Sequence, residues 1–242
     1  MDRPPDRYET MRRIARRLPG GMPVARWLRH HLHPDLREMR RLRRDHPREL
    51  FQPYPDTCED RYPRLFDALA SRLDENPSPR ILSFGCSSGA EARALRQRIS
   101  DARIVGLDLN RRAINAARRA DRSPLSEYRC AAAPRHDERF DAILALAVFR
   151  HGDLEALRPD YCTAILPFAR FAQGLESLDR CLAPGGWLAI WHAHFCLADT
   201  TMAGRYVREA VHMDGTTQDL LYGSDDRRLD GVVENTALFR KL

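Results

Sequence analysis

The spacing of apolar residues changes character near residue 80. Before it the pattern is helical. Met11, Ile14 and Leu18 share one face over residues 8–18. Val24, Trp27, Leu28 and Leu32 do so over 24–32, with Pro19-Gly20-Gly21 between the two stretches. The Arg-dense stretch 35–50 predicts a third helix, and a Pro-containing joint at 51–56 leads into a fourth that ends near Leu73. From Arg80 on, short apolar runs alternate with amphipathic stretches. ILSF (81–84), ARIVGL (102–107), SEYRCA (126–131), FDAILALAV (140–148) and GWLAIWHAHF (186–195) predict strands; 90–99, 111–119 and 168–182 predict helices. Such alternation marks a parallel sheet covered on both faces. LLYGSDDRRL (220–229) predicts a hairpin and ALFRKL a final strand, which together give a mostly parallel sheet an antiparallel C-terminal edge. The expectation is a doubly wound α/β fold of seven strands over residues 56–242, preceded by an N-terminal helical cap over residues 1–55.

Composition narrows the class. The chain has 242 residues, 43% hydrophobic and 31% charged, which is ordinary for a globular protein able to bury a sizeable core. No apolar run approaches the roughly 20 residues of a membrane span, and the N-terminus does not read as a secretory signal. Six cysteines, Cys58, Cys86, Cys130, Cys162, Cys181 and Cys196, are widely spaced without a CxxC pair. They read as free thiols of a reducing compartment, so a cytoplasmic protein is expected. The net charge of +6 is concentrated at one end. Residues 1–50 hold 14 Arg against 7 acidic residues, a net of +7, which leaves −1 for the remainder. Part of the cap's charge is expected to pair at helical spacing, Glu38 with Arg41 and Asp45 with Arg48.

The chemistry begins in the segment 80–95, RILSFGCSSGAEARAL: a buried strand, a Gly/Ser loop, then a helix. Gly85 suits a tight turn at the strand end, and Gly89 suits close approach of a ligand to the helix start. Asp108, 23 residues beyond Gly85, ends the next strand, where a carboxylate grips a ribose diol. Asp108 or Asn110 also suits the cap of the helix from Arg111. The loop lacks the full GxGxxG pattern, having Ser87 and Ala90 where glycines would stand, and it lacks a GK[ST] ending. The ligand expected is a ribosyl compound without a pyrophosphate.

These segments resemble class I S-adenosylmethionine-dependent methyltransferases over about residues 56–242. Gly85 and Gly89 match the outer glycines of that family's first motif, and Asp108 its ribose-binding acid. RFDAILALAVFRH (139–151) resembles the fourth-strand motif FDxIxxxxVxxH, and LDRCLAPGGWLAI (178–190) resembles LxxxLxPGGxLxI. The resemblance implies a Rossmann-like fold and S-adenosyl-L-methionine held by Phe84, Gly85, Cys86, Ser87, Gly89, Glu91, Asp108, Leu109, Ala131 and Ala147. There are departures. Ser83 stands where the family usually has an acid, and Ser87 where it has a middle glycine. The form GCSSGAE looks instead like the GCSTGEE loop of chemotaxis-receptor glutamate methyltransferases, which implies that Glu91 contacts the methionine ammonium. Ala145-Leu146-Ala147 does not support that subfamily. Cys130-Ala131-Ala132 replaces the usual polar residue beside the adenine, which leaves that ring to backbone contacts and apolar packing.

Ligands of doubly wound folds bind at the carboxyl ends of the strands. The tips at 149–153 and 192–196 place His151, Asp153, His192 and His194 among candidates near the methyl donor, and His151, His192 or His194 as a general base. His192-x-His194-x-Cys196 has strand spacing for a metal, but with no further ligand cluster none is expected. Residues 152–167 and 197–218 would overhang the mouth and bring Tyr161, Arg205 and Tyr206 to the substrate. The expected activity is methyl transfer to a small-molecule acceptor such as a natural-product intermediate, with a basic cap favouring an acidic one. The alternatives are an RNA or protein methyltransferase docked through residues 1–50, and a non-catalytic protein that binds the cofactor.

Overall fold

The computed structural model describes residues 34–54, 57–211, 213 and 220–242. The helices expected at 8–18 and 24–32, and with them most of the cap, lie outside the described residues. The chain divides between Pro47 and Arg48 into two units. In the first, helix α1 (Pro34–Asp45) carries the Glu38–Arg41 pair as a double hydrogen bond of 2.7 and 3.0 Å. Asp45 bonds Arg44 rather than the expected Arg48, because the helix ends at Asp45 and helical spacing stops with it.

The second unit runs α2 (Pro63–Leu73), β1 (Arg80–Phe84), α3 (Ala90–Arg98), β2 (Arg103–Asp108), α4 (Arg111–Ala120), β3 (Ser126–Cys130), β4 (Phe140–Leu146), α5 (Gly152–Leu157), α6 (Phe168–Cys181), β5 (Leu182–Trp191), β6 (Tyr206–Glu209), β7 (Leu221–Tyr222), β8 (Arg228–Leu229) and β9 (Leu238–Lys241). Seven strands form one sheet in the order β3-β2-β1-β4-β5-β9-β6. Strands β3, β2, β1, β4 and β5 pair in parallel, and β9 pairs antiparallel with both β5 and β6. The antiparallel strand therefore sits one position inside the edge. The outermost strand is β6, a short strand with two exposed residues that no apolar run announces. The expected hairpin at 220–229 forms as β7–β8, a separate two-stranded sheet.

Alternation along the strands sends side chains to two cores. Ile81, Ala142, Leu144, Leu146, Trp187 and Ala189 meet α2, α3 and α4 through Leu65, Phe66, Leu95 and Ile114. Leu82, Ile143, Ala145, Leu188 and Ile190 meet α6 through Phe171, Leu175 and Leu178. This period of two on a doubly covered sheet produces the continuous apolar runs seen in the sequence. Phe51 joins the second core, edge-on to Phe149 with ring centres 5.0 Å apart. With β1 and β4 adjacent at the sheet's centre, successive strands are added outwards on one side from β1 and on the other from β4, and this switch opens a crevice at the strand carboxyl ends.

Candidate functional site

The loop after β1 turns through three left-handed residues, Gly85 (φ 73°), Ser87 (φ 48°) and Gly89 (φ 75°). The N–H groups of Gly85 and Cys86 both donate to the Leu107 carbonyl, at 2.8 and 2.9 Å, which hooks the loop onto the end of β2. A Cβ at Gly85 would collide with Val148 on the β4 side, and one at Gly89 would lie 2.9 Å from the Tyr128 hydroxyl. Both glycines are thus required by conformation and by close packing within the protein. Gly89 caps α3 without a side chain over its first turn, so the leading N–H groups of that helix have no side-chain acceptor. Phe84 packs into the core against Phe51 and Phe149, and Cys86 is buried, its thiol pushed well up by burial.

Asp108, at the tip of β2, accepts from Ser87 N–H at 2.9 Å on one carboxylate oxygen and from Asn110 N–H at 2.7 Å on the other. Its carboxyl is raised above the usual range because burial outweighs those two bonds. The helix cap of α4 is Asn110, whose side chain accepts from Ala113 N–H at 3.1 Å. Asp108 is thereby free of capping and holds the loop instead. Each of its oxygens takes one backbone donor and keeps capacity for another, which is what a vicinal diol requires. Beside it, β3 ends at Cys130, paired in register with Asp108; the Cys130 thiol is exposed and lies 3.4 Å from the Leu109 carbonyl. Ala131 N–H donates to the Asp108 carbonyl at 3.2 Å. This side of the crevice offers backbone and small side chains.

Glu91, in the first turn of α3, is buried, and its hydrogen bond comes from the Ser83 hydroxyl of β1 at 3.2 Å. Burial drives its pKa to about 7 despite that bond and the Arg61 charge nearby. The carboxylate absent from position 83 thus reaches the same spot from the helix. A buried acid with one neutral partner is suited to a cation.

The tips of β4 and β5 carry two further left-handed residues that are not glycine, Ala147 (φ 56°) and His192 (φ 50°). Ala147 N–H donates to the Trp191 carbonyl at 2.8 Å, so the two strained positions lie on adjoining strand ends. The strand expected to run to 195 ends at Trp191, because the chain turns at His192. His192 Nδ1 lies 2.8 Å from the Tyr62 hydroxyl, the N-cap residue of α2, with the rings edge to face at 5.5 Å. Burial, with the Arg150 and Arg61 charges, lowers the His192 pKa to about 4, and burial raises Tyr62 to about 12. Both are neutral at pH 7. Arg61, Tyr62 and Arg150 were not among the residues expected at the site. Tyr62 is 130 positions from its partner and belongs to no motif.

Other candidates are placed elsewhere. His151 caps α5, its Nδ1 accepting from Asp153 N–H at 3.1 Å, so that this ring nitrogen is occupied by the start of the helix. Asp153 accepts from the Tyr54 hydroxyl at 2.7 Å. His194 is buried between backbone carbonyls, Nδ1 3.0 Å from Leu220 O and Nε2 3.4 Å from His151 O. It ties the β4 tip to the segment before β7, with the Glu155 carboxylate 3.8 Å from its Nε2. Arg205 and Tyr206 both bond Asp179, each at 2.7 Å, near the start of β5. Strand β6 is parallel to β5, so it must begin at the sheet's amino end, opposite the crevice. Tyr161 is exposed, bridges to Arg227 and lines a cavity with Asp160, Asp225 and Arg228 beside the β7–β8 hairpin. Among the described residues no group of three or more His, Cys, Asp or Glu is arranged for a metal ion, and no helix is long and apolar enough to cross a membrane.

Residues 82–188, from β1 into β5, match the family model of a methyltransferase domain. A ubiquinone biosynthesis O-methyltransferase of Nitrobacter winogradskyi is 35% identical over 107 residues, which are 43% of this chain and 40% of that protein. The chain thus matches about two fifths of that relative's length. Among solved structures, the plantazolicin methyltransferase BpumL in complex with SAH is similar over 67% of this chain and 55% of its own, with 16% identity and a TM-score of 0.41. The [4+2]-cyclase SpnF is similar over 52% and 43%, with 22% identity and a TM-score of 0.40. The matched segment spans the glycine loop, the acidic tip of β2 and the ends of β4, and over it this chain resembles the class I S-adenosylmethionine-dependent methyltransferases.

Proposed function

We propose that this chain transfers a methyl group from S-adenosyl-L-methionine to a small-molecule acceptor. The observation that carries the reading is the Asp108 carboxylate, which bonds the Gly85–Gly89 loop through Ser87 and keeps an acceptor position open on each oxygen. In this reading Asp108 holds the ribose hydroxyls, the uncapped start of α3 and the loop N–H groups take the donor's polar atoms, and Leu109, Cys130 and Ala131 border the adenine. Glu91 and Ser83 stand at the other end, suited to the amino-acid cation. When bound, the donor supplies a methyl group on a positively charged sulfur. The residues of this chain fix its direction towards the tips of β4 and β5 and exclude water there, which is the greater part of what an in-line displacement needs. The acceptor reaches the donor beside Ala147 and His192. Small-molecule chemistry is supported by the near-neutral charge of residues 51–242 and by the name of the curated relative.

Calorimetry with S-adenosylhomocysteine tests the site. Asp108→Ala removes two acceptors that together are worth about 3 to 6 kcal/mol to a diol, so affinity should fall at least a hundredfold. Unchanged affinity would remove Asp108 from the site. A labelled methyl donor offered with small acids, phenols and amines, and separately with RNA, then tests the acceptor class. Transfer confined to RNA would replace the small-molecule reading.

A further inference from the structure

The hydrogen bonds around His192 assign it a direction, and that direction bears on the acceptor. The Arg61 guanidinium lies over the Tyr62 ring, its Cζ 6.0 Å from the ring centre. A nearby cation favours the Tyr62 hydroxyl turned with its oxygen towards the charge and its proton away from it. Its own proton then goes to the His192 Nδ1, 2.8 Å away. A neutral imidazole that accepts at Nδ1 carries its hydrogen on Nε2. The chain Arg61 to Tyr62 to His192 therefore ends in an N–H donor, polarised by a positive charge at its far end. Arg150 adds to this. It follows Ala147 by three residues at the β4 tip. One of its terminal nitrogens bonds Glu155 at 2.8 Å, and its Nε is buried without a hydrogen-bond partner. The acids in the surroundings are Glu155, occupied by Arg150, and Glu91, on the Ser83 side.

Building on the methyltransferase reading, we propose that His192 acts as a hydrogen-bond donor and, with Arg61 and Arg150 behind it, selects an acceptor whose attacking oxygen is already anionic, a carboxylate. Such an oxygen needs no base. Its lone pair forms the new carbon–oxygen bond. The carbon–sulfur bond breaks with its electron pair left on sulfur, the two charges cancel, and no proton moves. The product is a methyl ester. Burial first, and then the Arg150 and Arg61 charges, keep His192 from taking a proton; those two charges also favour the anion.

The test uses the full chain saturated with S-adenosylhomocysteine and two probes of one shape, benzoate and benzamide, with binding followed by calorimetry. Benzoate should bind at least tenfold more tightly, with a preference that is flat from pH 6 to 8. Arg150→Gln should reduce the preference at least fivefold and Arg150→Lys should restore part of it. Tyr62→Phe, which breaks the relay but keeps the ring, should also reduce it. With a labelled methyl donor, carboxylates should be esterified at a rate that is constant over the same pH range. Equal binding of the two probes overturns the proposal. So does a transfer rate that climbs about tenfold per pH unit, the mark of a base losing its proton. Binding of S-adenosylhomocysteine without any anion preference ends this proposal alone, whereas failure to bind it ends the methyltransferase reading as well.

Discussion

The two ends of the central sheet treat buried charge in opposite ways. At the amino end, Asp179 takes Arg205, Tyr206 and Lys241, and Glu138, just before β4, takes Arg80, Arg129 and the Arg135 N–H. Burial raises both acids, but these partners outweigh it, and both carboxyls end below their usual range. At the carboxyl end, Asp108 has two backbone donors and Glu91 one hydroxyl, burial wins, and both carboxyls end above it. The backbone divides the same way. Ser87, Ala147 and His192 adopt left-handed conformations there although none is glycine. One end is satisfied and holds the fold. The other retains strain and unspent hydrogen-bonding capacity, which a ligand can use.

The largest effect should come from breaking the satisfied end. Asp179→Ala strands the Tyr206 hydroxyl and two cations around a buried site. Because Arg205 is largely exposed and recovers solvent, the expected loss is about 3 kcal/mol, below the upper values for fully buried pairs. Urea unfolding at pH 7 measures it. The folded fraction should still bind S-adenosylhomocysteine with unchanged affinity. A loss of affinity would mean that the two ends are coupled and the comparison fails.

Glu91 sharpens the contrast because its sign is reversed. Unfolded, its carboxyl titrates near the usual 4.5; folded, near 7. Between those values the folded chain holds more protons, so its stability falls as pH rises through that window and stays low above it. At about 1.4 kcal/mol per tenfold in proton affinity, the cost at pH 8 is about 3 kcal/mol. Glu91→Gln should therefore be more stable than the parent at pH 8, match it near pH 4, and bind S-adenosylhomocysteine more weakly. A variant less stable than the parent at pH 8 would show Glu91 to be a structural acid like Asp179.

How far the sequence foretells each end follows from this difference. The sheet is legible because buried parallel strands read as unbroken apolar runs, and Gly85, Gly89 and Asp108 are legible because loop conformation and chain spacing tie them together. The β6 strand is not, since YVRE lies at the edge with half its residues in water. HAHF reads as strand by its alternation, yet the chain turns at His192, where contacts with β4 override local pattern. Arg205 and Tyr206 were placed by loop topology, and the antiparallel pairing of β6 with β9, which makes β6 run in the direction of β5, carries them to the opposite end. Tyr62 and Arg61 have no local signal, because their meaning lies in a partner 130 residues away.

The smallest effect separates holding the loop from capping the helix, two roles that compete for the same few residues after β2. Asn110 accepts from Ala113 N–H with its side chain, while its own backbone N–H donates to Asp108. Asn110→Ala removes the first bond and keeps the second, so it should cost about 1 kcal/mol of stability. Asp108 keeps both of its donors in that variant, and the loop stays clamped through Ser87. Affinity for S-adenosylhomocysteine should therefore stay within about twofold, set against the hundredfold loss expected for Asp108→Ala, a difference of more than about 2 kcal/mol between neighbouring positions. Thermal unfolding and calorimetry on the two variants read both quantities. If Asn110→Ala lost affinity as steeply as Asp108→Ala, the cap and the ribose site would be one structure, and the capacity left on Asp108 would be a by-product of helix α4.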